Sequence, residues 1–340
     1  MEPGRASQTV YRRSILKQLH NDTHAALFPL GQEESCYGIS CKEKEQILSC
    51  SVSLFGNEKD LCVFAIAQAA NHLAAKGAVA RGVSIQILLP DFAFESRVKA
   101  MYQAASAAAS AHEIEILKAD AQFIPGLHTT IVSVSALGCV EQGVILRQSR
   151  MAQPGEDIVL LKKIALEGAL RVRRAKEEEA AARFAPFFLE RLEAQKEQIF
   201  SMREIRAAAS AGSVSALHQI VDGGILAALW DIAESAGIGL TVDLRKIAVG
   251  QETIEVCELF HLNPYQLTSA GSALVITKKG EELADTMIRE GVPAVVIGHT
   301  QKGKERLVMN GDDKRCLNRP APDAFVHLWA QENISNAAED

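Results

Sequence analysis

The stretch SVSALHQIVDGGILAALWDIAE, Ser213–Glu234, changes character at its centre. Its first residues are small and polar-edged. Asp222-Gly223-Gly224 then leads into a run with one apolar face, the pattern of a helix. A glycine pair at the mouth of a helix lets backbone N–H groups approach an anion closely. The same pair can also serve a tight turn and nothing more. Asp222 has two readings as well. It can help to hold a ligand, or it can cap the helix that begins at Gly223 or Gly224, which is worth about 1 kcal/mol. A capping carboxylate would itself occupy the mouth and repel a phosphate. Gln219, directly after His218, is a neutral amide where an acid would be more useful.

Around this stretch the second half of the chain alternates strand and helix. Pro154-Gly155 marks a turn before the strand DIVLLKK. Residues 171–206 are charged and helical, with a break at Pro186. After the quoted helix come GIGLTVDL (strand), QETIEVCELFHL (helix), SALVITK (strand) and GEELADTMIREG (helix). PAVVIGHT and ERLVMN follow as hairpin-like strands, and the tail after Pro322 is partly helical. The first half reads as QILSCSVSL (strand), KDLCVFAIAQAANHLAAKGA (helix, with Gly77 at its end) and RGVSIQILLP (strand). It continues with FESRVKAMYQAASAAASAH (helix), EIEILKA (strand) and HTTIVSVSALGCV (strand). Val10, Ile15, Leu16 and Leu19 give a lead-in helix at helical spacing. The expected division is a lead-in over 1–25, a first domain over 26–150, a second over 151–330 and a polar tail over 331–340.

Composition narrows the function. The 340 residues are 48% hydrophobic and 23% charged, enough for two domains with real cores. A net charge of −6 and 5% aromatics argue against a nucleic-acid or anionic-membrane surface. No apolar run reaches the roughly 18 residues of a membrane helix, and the N-terminus has no secretory h-region. The seven cysteines, Cys36, Cys41, Cys50, Cys62, Cys139, Cys257 and Cys316, form no CxxC pair. Reduced thiols in the cytoplasm are the simple expectation, with no metal site built on them.

With these elements in place, the chain resembles the AIR synthase (PurM-like) superfamily, in its AIR-synthase-related, HypE-like hydrogenase maturation factor type. The resemblance covers nearly the whole chain. It is carried by LEGALR, SALHQIVDGGILAALWDIAESAGIGLTVDLRKI, ETIEVCELFHLNPYQLTSAGSALVIT and VPAVVIGHT. In the first half it rests on VYRRSILKQL and NHLAAKGAVARGVSIQILLP. It implies an α/β (α+β) PurM-like two-domain fold. The N-terminal domain would pair with its twin to close a β-barrel-like core in a homodimer. The C-terminal domain would be an α/β sandwich. It also implies a cleft for ATP and Mg²⁺, with transfer of the terminal phosphate to an amide-like oxygen.

Carried over by position, the resemblance places Asn71, Glu167, Gly168, Asp222, Gly223 and Gly224 on the nucleotide side. Lys162 and Lys163 precede the LEG turn and could face an anion. Ser269, Gly271 and Ser272 would shape the cleft wall. Several expected acids are missing. In GQEESCYGI, Glu33 and Glu34 keep charge, but Ser35 stands where an Asp is usual. Val52 or Ser53 stands at a strand-end Asp. His72 follows Asn71 in place of an Asp, and Gln219 replaces the acid after His218. KADAQFIPG replaces a Gly-Gly-His-Thr-Glu type turn. Magnesium needs hard, charged oxygens, and imidazole suits zinc or copper better. His72 could instead act as a general base, its reference pKa being about 6.5. His72 and Asp222 are therefore the catalytic candidates.

The reading is a retained scaffold with an eroded Mg-ATP site, binding a nucleotide, a small molecule or a protein partner. The alternative is an active ATP-dependent enzyme of cofactor or metabolite maturation. The HypE route itself modifies a C-terminal cysteine. Here the last cysteine is Cys316 and the chain ends ENISNAAED, so that route is not expected.

Overall fold

The computed structural model describes residue 8, residues 37–40 and residues 46–328. Apart from residue 8, the lead-in expected over 1–25 lies outside the described residues. So do the Glu33–Ser35 loop and the 331–340 tail.

The first half builds a five-stranded sheet in the order β1-β2-β5-β3-β4. Its strands are β1 (Tyr37–Ser40), β2 (Gln46–Gly56), β3 (Val79–Pro90), β4 (Glu115–Ile124) and β5 (Thr130–Val140). In β2, Leu48, Cys50 and Val52 face the core while Ile47, Ser51 and Ser53 face out. That alternation is the signature of a sheet covered on one side. Helices α1 (Leu61–Ala75) and α2 (Glu95–Ala111) supply the cover. The other face carries short polar pairs, Ser51 to Ser135 and Ser53 to Ser133, each at 2.9 Å between hydroxyls. Ile47 and Leu137 are exposed on strands β2 and β5.

One expectation is corrected here. The strand expected over EIEILKA does not stop at Ala119: β4 runs on through KADAQFI to Ile124, parallel to β3 from Lys118↔Ser84 to Ile124↔Pro90. No glycine precedes Gly126 in this segment, so nothing favours an early turn, and the ladder pairs its backbone instead.

The second half builds a seven-stranded sheet in the order β12-β11-β8-β10-β6-β9-β7. The strands are β6 (Asp157–Leu161), β7 (Val214–Gln219), β8 (Gly239–Asp243), β9 (Ala273–Thr277), β10 (Ala294–Gln301), β11 (Arg306–Asn310) and β12 (Asp313–Cys316). Every residue of β9 is buried, as its unbroken apolar run requires. The helices are α3 (Leu166–Ala175), α4 (Glu177–Arg183), α5 (Pro186–Glu193), α6 (Met202–Ala209), α7 (Gly224–Ala236), α8 (Gln251–Leu259) and α9 (Gly280–Arg289). α5 begins on Pro186, where a proline is suited to the first turn.

Helix α1 joins the two halves. All fifteen of its residues are buried. It is apolar on most sides, with six alanines, which is what a helix enclosed by packing needs. It packs on β2 and β5 of the first sheet and on α6 and β7 of the second half. Asn71 fixes that contact with both ends of its amide. Its Nδ2 donates to the Ile199 carbonyl at 2.7 Å, and its Oδ1 accepts from the Ser201 N–H at 2.9 Å. Asn71→Ala removes both bonds and strands two backbone groups in the interior. A loss of about 2–4 kcal/mol is expected in urea denaturation, with an unchanged denaturant slope.

Candidate functional site

The mouth of α7 is where the glycine pair sits. Gly223 and Gly224 have φ of +77° and +67°. A β-carbon on Gly224 would lie 2.5 Å from the Tyr265 carbonyl oxygen. The pair is thus required by backbone conformation and by close packing of the 265–267 segment, before any ligand is considered.

The carboxylate at this mouth is not the expected one. Asp222 is half-buried beside it. Asp323, 100 residues on from Gly223, caps this mouth: its Oδ2 accepts from the Gly223 N–H at 2.8 Å. Its Oδ1 accepts from the Phe325 N–H at 2.9 Å, so one carboxylate caps two chain segments. Asp323 is 3% exposed. Burial, and then the neighbouring Asp222 charge, push its carboxyl up to about 8. Sequence reading assigned this residue to a tail. The signal was Asp after Pro320 and Pro322, directly before a helical run over 324–328.

Phe325 packs beside this cap. Its ring lies 5.9 Å from that of Phe55, centroid to centroid, and 4.1 Å from the Arg171 guanidinium. Arg171 also donates to the Phe55 carbonyl at 2.7 Å and lies 3.4 Å from Glu58. First sheet, α3 and C-terminal segment therefore meet at one point.

Glu167 has no exposure. Its carboxylate accepts from Gln68 Nε2 at 2.7 Å, Thr268 Oγ1 at 2.7 Å and the Ala270 N–H at 2.8 Å. Desolvation raises its pKa, and Arg171 and these three bonds oppose the rise. Gly168 donates to the Thr268 carbonyl at 3.1 Å, and a β-carbon there would collide with Leu267. Lys162, at φ +63°, donates to the Gln198 carbonyl at 2.6 Å and to Ser201 Oγ at 2.7 Å. Burial lowers its pKa.

Of these neutral residues, Val52, His72 and Gln219 are buried, while Ser53 lies on the open sheet face. Val52 faces the core and Ser53 pairs across the sheet with Ser133. His72 is 5% exposed on the enclosed helix α1. His218 Nδ1 is 2.9 Å from Ser149 Oγ. Gln219 is 2% exposed, and neither end of its amide has a hydrogen-bond partner among the described residues. The structure thus brings Glu167, Asp222, Gly223 and Asp323 toward one mouth, while Asn71 is taken up by the junction of the two halves and Lys162 by bonds within the second half. Among the described residues, no group of three His, Cys, Asp or Glu side chains is placed to hold a metal ion.

The comparisons fit this architecture. Residues 153–310 match the AIR synthase related protein, C-terminal domain family. A protein of Methanocaldococcus jannaschii named for hydrogenase expression and formation is 22% identical over 309 residues, covering 89% of this chain and 87% of that one. A solved hydrogenase maturation protein HypE in complex with ATP superposes with a TM-score of 0.68 at 16% identity, covering 96% and 98% of the two chains. A HypE–HypF complex gives 0.66 at 18% identity over 83% and 93%. The fold is the PurM-like α/β fold. Over most of its length the chain is similar to AIR synthase-related, HypE-like proteins. Among the described residues, no helix is long and apolar enough to cross a membrane.

The raised Asp323 carboxyl sets a pH dependence. The folded state keeps a proton that the unfolded chain releases near pH 3.9. This contribution to stability is complete below about pH 4 and is lost as pH rises toward about 8. Urea titrations across that range are expected to show wild type losing stability relative to Asp323→Asn, by at most about 1.4 kcal/mol per pH unit. Parallel curves would remove Asp323 as the titrating group.

Proposed function

We propose that this chain is a HypE-like scaffold whose Mg-ATP site has lost its chemistry. It works as a cytoplasmic homodimer that binds a nucleotide, a small molecule or a protein partner, with its domain boundary near residue 150. The observation that carries this reading is the state of the carboxylates. Glu167 is saturated by three internal donors, and Asp323 fills the helix mouth. A metal would have to compete with those donors, and a phosphate would meet a carboxylate already seated on Gly223. With His72, Gln219 and Val52 standing where carboxylates would be needed, the residues present do not fit magnesium. No phosphoryl-transfer step is therefore derived for this chain.

The homodimer is supported by the open face of the first sheet. It carries serines and the exposed Ile47 and Leu137, and no helix among the described residues covers it. A protein partner is supported by the HypE–HypF complex, a pairing made by a protein of the same fold.

The second reading, an active ATP-dependent enzyme activating an amide-like oxygen, is favoured by one feature. Asp222 and Glu167 both lie close enough to Asp323 to raise it. A bound cation would relieve that repulsion.

Thermal melting separates the two readings. Ligand at 100 times its Kd adds about 2.7 kcal/mol. With millimolar ATP and Mg²⁺ no shift is expected. A magnesium-dependent shift abolished by Asp222→Asn would establish the second reading instead. Light scattering is expected to give twice the chain mass, falling toward one chain mass in Ser51→Arg, which places a charge on the open sheet face.

A further inference from the structure

Beside the mouth of α7 lies a pocket of about 170 Å³. A cavity of about 150 Å³ accepts a benzene ring, so the space suits a ring-sized body. Leu226, Leu244, Val308 and Leu317 give it apolar walls, and Arg315 and Arg319 also line it. No Asp or Glu is among the lining residues. Neither arginine has an ion pair or a hydrogen bond from its side chain among the described residues. The segment that carries them is nonetheless anchored. Leu317, between the two, is buried, and its N–H donates to the Arg306 carbonyl at 2.8 Å. Gly223, Tyr265 and Gln266 are shared between the pocket and the mouth. Gln68, Glu167, Arg171 and Asp323 take no part in it.

In a chain of net charge −6, two uncommitted guanidinium groups over an apolar, acid-free pocket form a local site for negative charge. Guanidinium forks match phosphate and carboxylate oxygens, and the apolar walls favour a hydrophobic body. We propose that this pocket binds a small organic anion: a ring-sized apolar body carrying a phosphate or a carboxylate. The site stands apart from the internally capped mouth, so it does not depend on whether that mouth binds ATP.

Cys316 is exposed and lines the same pocket, which makes it a reporter. Its alkylation, followed by peptide mass spectrometry against Cys139 as internal reference, is to be measured with phenyl phosphate, benzoate, benzyl alcohol and inorganic phosphate. Saturable protection by phenyl phosphate or benzoate is expected, weakening as salt is added, with much less from the alcohol or from inorganic phosphate. The double variant Arg315→Gln, Arg319→Gln is expected to weaken that protection about tenfold or more. Both arginines are exposed, so its melting temperature should match wild type. The proposal is overturned if neither aromatic anion protects Cys316 saturably. It is equally overturned if protection is insensitive to salt and to the double variant. The ATP and Mg²⁺ melting result decides neither outcome.

Discussion

A carboxylate with no exposure ties the two halves of this chain together. Burying a charged Glu167 costs several kcal/mol, and that cost is offset only while its donors stay in place. One donor, Gln68, comes from α1, and the other two come from the 268–270 segment. The carboxylate thus sets the position of α1 against the second half. Asn71, one turn further along the helix, repeats the connection through neutral hydrogen bonds. Loosening the junction would expose α1, a helix with no polar face to show to water.

The same junction explains the mouth of α7. The 265–267 segment that precedes Thr268 presses against Gly224, so the glycine pair is fixed by the packing that brings Thr268 to Glu167. The N–H exposed by this geometry needs an acceptor. Asp323 supplies it from the C-terminal segment, and Phe325 then packs against Phe55 under Arg171. A feature suited to an anionic ligand is satisfied by the chain itself.

Much of the fold was legible in the sequence because it rests on local periodicity. The two-residue alternation of β2 and β5, the apolar run of β9 and the helix beginning at Gly224 follow from side-chain pattern alone. β4 was misjudged at its C-terminal end because pairing with β3, not local sequence, extends it to Ile124. The site was less legible for the same reason. Gly223, Gly224, Glu167 and Asp222 are adjacent to recognisable turns. The partners that decide their roles are distant: Gln68 lies 99 residues from Glu167, and Asp323 lies 100 from Gly223. Asp222 was a fair candidate for the cap by position. The Gly223 N–H meets Asp323, a residue that only the tertiary fold brings near.

The neutral substitutions follow from the same physics. His72 and Gln219 are almost fully enclosed. A carboxylate at either place is tolerable only with a counter-charge, and in a magnesium site the metal is that counter-charge. Remove the metal and each acid becomes a buried, uncompensated charge, worse than a neutral amide left without a partner. On the proposed reading, acid loss and metal loss are coupled. The internal bonds of Glu167 and the cap from Asp323 are what remain favourable for these carboxylates once no cation joins them.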